Sequence, residues 1–118
     1  MRALQYVEFG QPPRVVDVPR PEPGPGQVLL RVTAAGVCHT DEMIMSRSPQ
    51  EYRWKPLPLT LGHEAAGVVA EVGLGVTRVA VGQDVLVHGA WGCGTCRACS
   101  RGEENYCERP GGAQPPGL

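Results

Sequence analysis

Four cysteines within fifteen residues constrain this chain more than any other feature: Trp91-Gly-Cys-Gly-Thr-Cys-Arg-Ala-Cys-Ser-Arg-Gly-Glu-Glu-Asn-Tyr-Cys107. Two-residue gaps separate Cys93, Cys96 and Cys99, so their sulfurs can converge on one point. The seven residues before Cys107 are enough for a short turn that returns the fourth sulfur. This spacing predicts a closed, tetrahedral four-thiolate zinc site in a lobe spanning residues 91–109. The other reading, a pair of disulfides, requires an oxidising compartment. The start, Met1-Arg-Ala-Leu-Gln-Tyr-Val-Glu8, has no apolar signal-peptide core, and no apolar run approaches membrane-spanning length. Reduced thiols and a cytoplasmic location are therefore expected. Four thiolates on one dication leave excess negative charge, which Arg97, Arg101 and Arg109 are placed to offset; ordinary solvated charge is the other reading of these arginines.

With 118 residues the chain has room for one domain and a modest core. Its 16 glycines and 12 prolines bring it close to a disordered composition, but 42% hydrophobic content and valine-rich runs favour a folded, turn-rich β domain. A net charge of −1 gives no electrostatic case for nucleic acid or an anionic membrane as partner.

Ala3 to Val7 and Val15 to Val18 read as short strands on either side of the turn-forming Gly10-Gln-Pro-Pro13. The loop Pro19-Arg-Pro-Glu-Pro-Gly-Pro-Gly26 excludes helix and central strand. Gln27 to Thr33 follows as a strand, with Val28, Leu30 and Val32 expected on one face. Thr40 or Asp41 is expected to cap a short helix through Met45, and two more strands are expected at Gly67–Gly73 and Asp84–His88. Pro110 to Leu118 reads as loop. The expected architecture is mainly β: a partly open barrel with short helices and a zinc lobe.

A second constellation lies upstream in Gly36-Val-Cys-His-Thr-Asp41 and Gly62-His-Glu-Ala-Ala-Gly67. Cys38 and His63 each lie close to a glycine where strands give way to turns, positions from which ligand side chains project. One thiolate and one imidazole make half of a catalytic zinc site. Taken alone, Cys38 is equally a packing residue, since free cysteine is commonly buried.

Together the three motifs resemble the zinc-dependent alcohol dehydrogenases of the medium-chain dehydrogenase/reductase family. Gly36 to Asp41 is similar to the first catalytic-zinc segment, Leu61-Gly-His-Glu-Ala-Ala-Gly-Val-Val69 to the second, and Cys93 to Cys107 to the structural lobe. The resemblance covers essentially the whole chain and implies a GroES-like N-terminal catalytic domain over residues 1–118, incomplete at its C-terminus. It implies oxidation of primary or secondary alcohols to aldehydes or ketones with NAD or NADP. It also implies a homo-oligomeric full-length enzyme, with no nucleic-acid or membrane partner.

Carried over to this chain, the resemblance makes Cys38 and His63 ligands of a catalytic zinc. Glu64 becomes a nearby carboxylate able to approach the metal, and Asp41 an acceptor that orients the imidazole. Asp41 as a helix cap is the alternative. Thr40 falls at the hydroxyl position of a proton relay, and zinc at such a site supplies Lewis acidity to the alcohol. Met43 and Trp54 fall in the substrate pocket, and His39 near the cofactor pyrophosphate. Met43 also stands where some relatives carry the relay histidine, and Gln83 replaces the aspartate of a usual Gly-Asp turn.

The family's third catalytic-zinc ligand and its Rossmann cofactor domain have no counterpart here. Gly73-Leu-Gly75 begins like a dinucleotide-binding turn, but Arg78 stands at the third glycine position; Gly92-Cys-Gly94 belongs to the cysteine run. An enzyme fragment inactive by itself is therefore expected, with a free-standing zinc-binding module as the alternative. The zinc-free quinone-reductase branch is disfavoured by Cys38, His63 and the cysteine quartet.

Overall fold

A computed structural model describes residues 1–53, 56–89 and 91–109. The strands form two three-stranded antiparallel sheets, which do not close into a barrel among these residues. In the first sheet β1 (Arg2–Tyr6) lies between β2 (Arg14–Asp17) and β4 (Leu59–Thr60). In the second, β5 (Ala65–Val72) lies between β3 (Val28–Ala35) and β6 (Asp84–Leu86). One helix, α1 (His39–Met45), joins the sheets, and two 3-10 turns at Cys99–Arg101 and Glu104–Tyr106 lie within the cysteine run.

The core is small: Ala3, Tyr6, Ile44, Leu59 and Val69 are buried, with Ala98 and Cys99 buried in the lobe. Tyr6 ties the first sheet to the helix. Its hydroxyl accepts from Gly10 N–H at 3.0 Å and donates to the Met45 carbonyl at 3.2 Å, while Phe9 meets its ring edge-on and Tyr52 packs in turn on Phe9. One end of α1 is thereby fixed, and Ile44 on the same helix is fully buried.

Three local expectations are corrected. The simple alternation expected of β3 is broken by register shifts at Leu29/Leu30 and Val32/Ala34, so Val28 and Val32 are exposed while Leu29 and Leu30 are half-buried. A bulge moves the following side chain to the other face. The helix cap is Cys38, neither Thr40 nor Asp41; Asp41 lies within the first turn and receives the Cys38 N–H. β4 escaped the sequence reading altogether. It is held by the edge of β1, where Gln5 pairs with Thr60 through backbone register and through an amide-to-hydroxyl bond of 3.0 Å.

Gln83 proves an adequate turn residue. Its side-chain oxygen accepts from Ala80 N–H at 3.2 Å, and its carbonyl accepts from Val69 N–H at 2.9 Å. Gln27 makes the matching side-chain bond to Gly24 N–H, closing the end of the proline loop.

Candidate functional site

The β3–β5 ladder positions the upstream cluster. Ala35 pairs with Ala65, and the ladder runs on through Gly36 N–H donating to the Glu64 carbonyl at 2.7 Å. Cys38 and His63 emerge just past that last rung, one from each strand. Residues 25 apart in sequence thus face each other because two antiparallel strands end together. One ligand atom each from Cys38, His63 and Glu64 lies within 4.8 Å of the others. Sulfur, nitrogen and oxygen donors at such separations suit zinc, which takes thiolate, imidazole and carboxylate ligands.

Asp41 is buried, with 6% of its surface exposed, and it faces both ligand segments. Oδ2 accepts from Cys38 N–H at 3.1 Å, and Oδ1 accepts from Gly62 N–H at 3.3 Å. Oδ1 also lies 3.7 Å from His63 Nδ1, a buried nitrogen with no hydrogen-bond partner of its own. Thr40 immediately precedes Asp41 in the first turn of the same helix, its hydroxyl 3.5 Å from Cys38 Sγ. His63 and Glu64 line a cavity of about 490 Å³ with Ala34, Ala65, Leu86 and Val87 among its other walls.

The remaining upstream expectations are less central. Met43 is half-buried on α1 and does not line that cavity. His39 points outward and pairs with Glu42 at 2.8 Å. Trp54 lies outside the described residues.

The four downstream sulfurs of Cys93, Cys96, Cys99 and Cys107 also lie within 4.8 Å of one another. Cys99 is buried, and Cys96 and Cys107 are half-buried. The 3-10 turns after Cys99 return Cys107 to the group, as the spacing implied. Backbone N–H groups converge on the sulfurs: Cys96 N–H donates to Cys93 Sγ, Cys99 N–H to Cys96 Sγ and Cys93 N–H to Cys107 Sγ, at 3.3–3.5 Å. Such donors stabilise thiolates. The Thr95 backbone and hydroxyl lower the Cys93 thiol to about 5, and the Cys99 N–H lowers Cys96. Burial, then the neighbouring Cys96 thiol, pushes Cys99 up to about 12. Gly92 has to be glycine, since a Cβ there would overlap Cys99 Sγ.

One partner, Thr95, escaped the sequence reading. Thr95 Oγ1 lies 3.6 Å from Cys93 Sγ and accepts from Arg109 at 3.2 Å, so a cation is linked to the sulfur through a hydroxyl. The available signal was the spacing, because Cys93-x-Thr95 repeats Cys38-x-Thr40. Arg101 instead pairs with Glu103 at 2.6 Å.

This fold, with a three-donor cluster at a strand end and a four-sulfur lobe, is the GroES-like fold of the N-terminal portion of alcohol dehydrogenases. The chain belongs to the alcohol dehydrogenase GroES-like domain family, whose pattern matches residues 24–118. It is 41% identical over 116 residues to the NAD-dependent alcohol dehydrogenase of Sulfurisphaera tokodaii, covering 93% of this chain and 33% of that protein. The cobalt- and zinc-bound thermostable alcohol dehydrogenase from Pyrobaculum aerophilum superposes with a TM-score of 0.83 at 39% identity, over 96% of this chain and 34% of that one. The alcohol dehydrogenase from Aeropyrum pernix gives a TM-score of 0.83 at 39% identity, over 100% and 34%. The chain thus spans about a third of the length of these relatives. Among the described residues no helix is long and apolar enough to cross a membrane.

Proposed function

We propose that this chain supplies the zinc-binding catalytic portion of a cytoplasmic, NAD(P)-dependent alcohol dehydrogenase, homo-oligomeric at full length. The observation that carries the reading is the meeting of Cys38, His63 and Glu64 donors in a chain that also gathers a second, four-cysteine cluster. Cys38 and His63 hold a catalytic zinc, and Cys93, Cys96, Cys99 and Cys107 hold a structural one. Zinc at the first site supplies Lewis acidity to an alcohol hydroxyl.

The chain's own residues do the rest. Asp41 orients His63 from behind while bonding the backbone on both ligand segments. Thr40 Oγ1, beside Cys38 Sγ, accepts the hydroxyl proton of the alcohol and passes it outward. Glu64 offers an oxygen donor when solvent or product exchanges. His39 contributes a basic group toward the cofactor phosphates. The overall change takes a primary or secondary alcohol and NAD(P)⁺ to an aldehyde or ketone, NAD(P)H and a proton.

The test is alcohol oxidation by the full-length protein, followed by NAD(P)H absorbance. Unmutated protein is expected to be active, and Cys38→Ala and His63→Ala to be inactive with the four-cysteine zinc retained. Full activity in either variant overturns the reading.

A further inference from the structure

Resting on the metal centre proposed above, we infer that Gly36 is a positioning residue: its missing side chain is the seat in which the Glu64 carboxylate lies within reach of Cys38 and His63. Three observations converge on this. Gly36 N–H donates to the Glu64 carbonyl at 2.7 Å, so the two residues are held face to face by the last rung of the β3–β5 ladder. A Cβ built on Gly36 would overlap Glu64 Oε2 and lie 3.1 Å from Glu64 Cβ and 3.4 Å from Cδ. The same carboxylate is within 4.8 Å of the Cys38 and His63 donor atoms.

Backbone geometry does not account for glycine at this position. Gly36 is absent from the positive-φ glycines, so alanine fits its conformation without strain. What alanine would displace is the tip of a flexible side chain, with the stem moving by a few tenths of an ångström. The chain therefore folds with alanine at 36, and the adjustment falls on the carboxylate. Gly36 lines the same cavity as His63 and Glu64, and its role there is exerted through Glu64.

The test uses the full-length protein with zinc in the four-cysteine lobe, titrated with Co(II) and read by its thiolate charge-transfer and d–d absorption. Gly36→Ala is expected to weaken Co(II) binding at the Cys38 site about 10–100-fold, the range usual for lost support of a metal ligand, and to shift the d–d bands. Glu64→Ala should do the same. The double variant should be no weaker than Glu64→Ala alone, because the side chain that Gly36 accommodates is then gone. Thermal unfolding provides the second readout: any loss in Tm with Gly36→Ala should vanish in the Glu64→Ala background. An unchanged affinity in Gly36→Ala, or effects that simply add in the double variant, overturns the inference alone. Failure of the unmutated protein to take up Co(II) beyond the lobe overturns the metal centre as well.

Discussion

Asp41 Oδ1 stands 3.7 Å from His63 Nδ1 while both Asp41 oxygens accept backbone N–H groups, from Cys38 and from Gly62. One carboxylate thus fastens together the two segments that present the upstream donors. Asp41→Ala removes the charged acceptor of those two part-buried N–H groups, and a hydrogen bond to a charged group contributes about 1.5–3 kcal/mol. Asp41→Asn keeps one acceptor oxygen and should lose less stability. Both variants should bind Co(II) at the Cys38 site about 10–100-fold more weakly. Chemical denaturation and cobalt titration of the two variants check this, and a fully stable Asp41→Ala protein contradicts it.

The four-cysteine lobe should hold one tightly bound zinc per chain in reduced, purified protein, because all four donors are local to it. Metal analysis of a Cys99→Ser, Cys107→Ser double variant should find that zinc gone. Retention of the metal at full occupancy would refute the assignment.

Without metal, the thiols of the lobe should differ in reactivity. Cys93, lowered to about 5, is already thiolate near pH 7, whereas Cys99, raised to about 12 and buried, stays protonated until strongly alkaline pH. Cys93 contributes stability that is complete above the ordinary thiol pKa and is lost as pH falls through about 5. Cys99 contributes stability present below the ordinary value and lost as pH rises toward about 12. Iodoacetamide labelling with peptide mapping should mark Cys93 first and Cys99 last, and zinc should protect both. The reverse order would show that the Thr95 contacts do not hold the Cys93 thiolate.

Thr40→Val keeps the side-chain shape and removes the hydroxyl that lies 3.5 Å from Cys38 Sγ. If Thr40 Oγ1 carries the proton, alcohol oxidation by the full-length enzyme should fall about 10²–10⁴-fold, with Thr40→Ser nearly unaffected. Zinc content should be unchanged in both. A fully active, zinc-loaded Thr40→Val enzyme rules the relay out.

Tyr6→Phe should destabilise the chain by about 1–3 kcal/mol, since Gly10 N–H and the Met45 carbonyl lose the same buried hydroxyl. A melting curve measures the loss. Unchanged Tm would mean that α1 is anchored by Ile44 packing alone.

The legible parts of this fold were those written in local chemistry. Cysteine spacing marked the lobe, and β-branched runs marked β3 and β5. The start of β5 was not legible, because Ala65 and Ala66 carry no strand signal and are held by their neighbours across the sheet, Ala35 and Ala34 on one side and Val87 and Leu86 on the other. β4 has two residues, too few for any period, and exists because β1 offers an open edge. Cys38 as a helix cap departs from the usual residue types, with Asp41 three positions on bonding its N–H. The grouping of Cys38, His63 and Glu64 was legible through family resemblance. The close fit of Gly36 to Glu64 and the link from Arg109 through Thr95 depend on three-dimensional approach, which sequence spacing does not encode.

The β3–β5 ladder also separates the two donor clusters in the order of their assembly. The four sulfurs of the lobe come from one short stretch closed by its own 3-10 turns, so a metal ion can gather them by local loop closure. Cys38 and His63 become neighbours only after two distant strands have paired through Ala35 and Ala65. A metal taken up by the lobe would therefore help it to fold, whereas the upstream cluster would have to be folded before it could capture one.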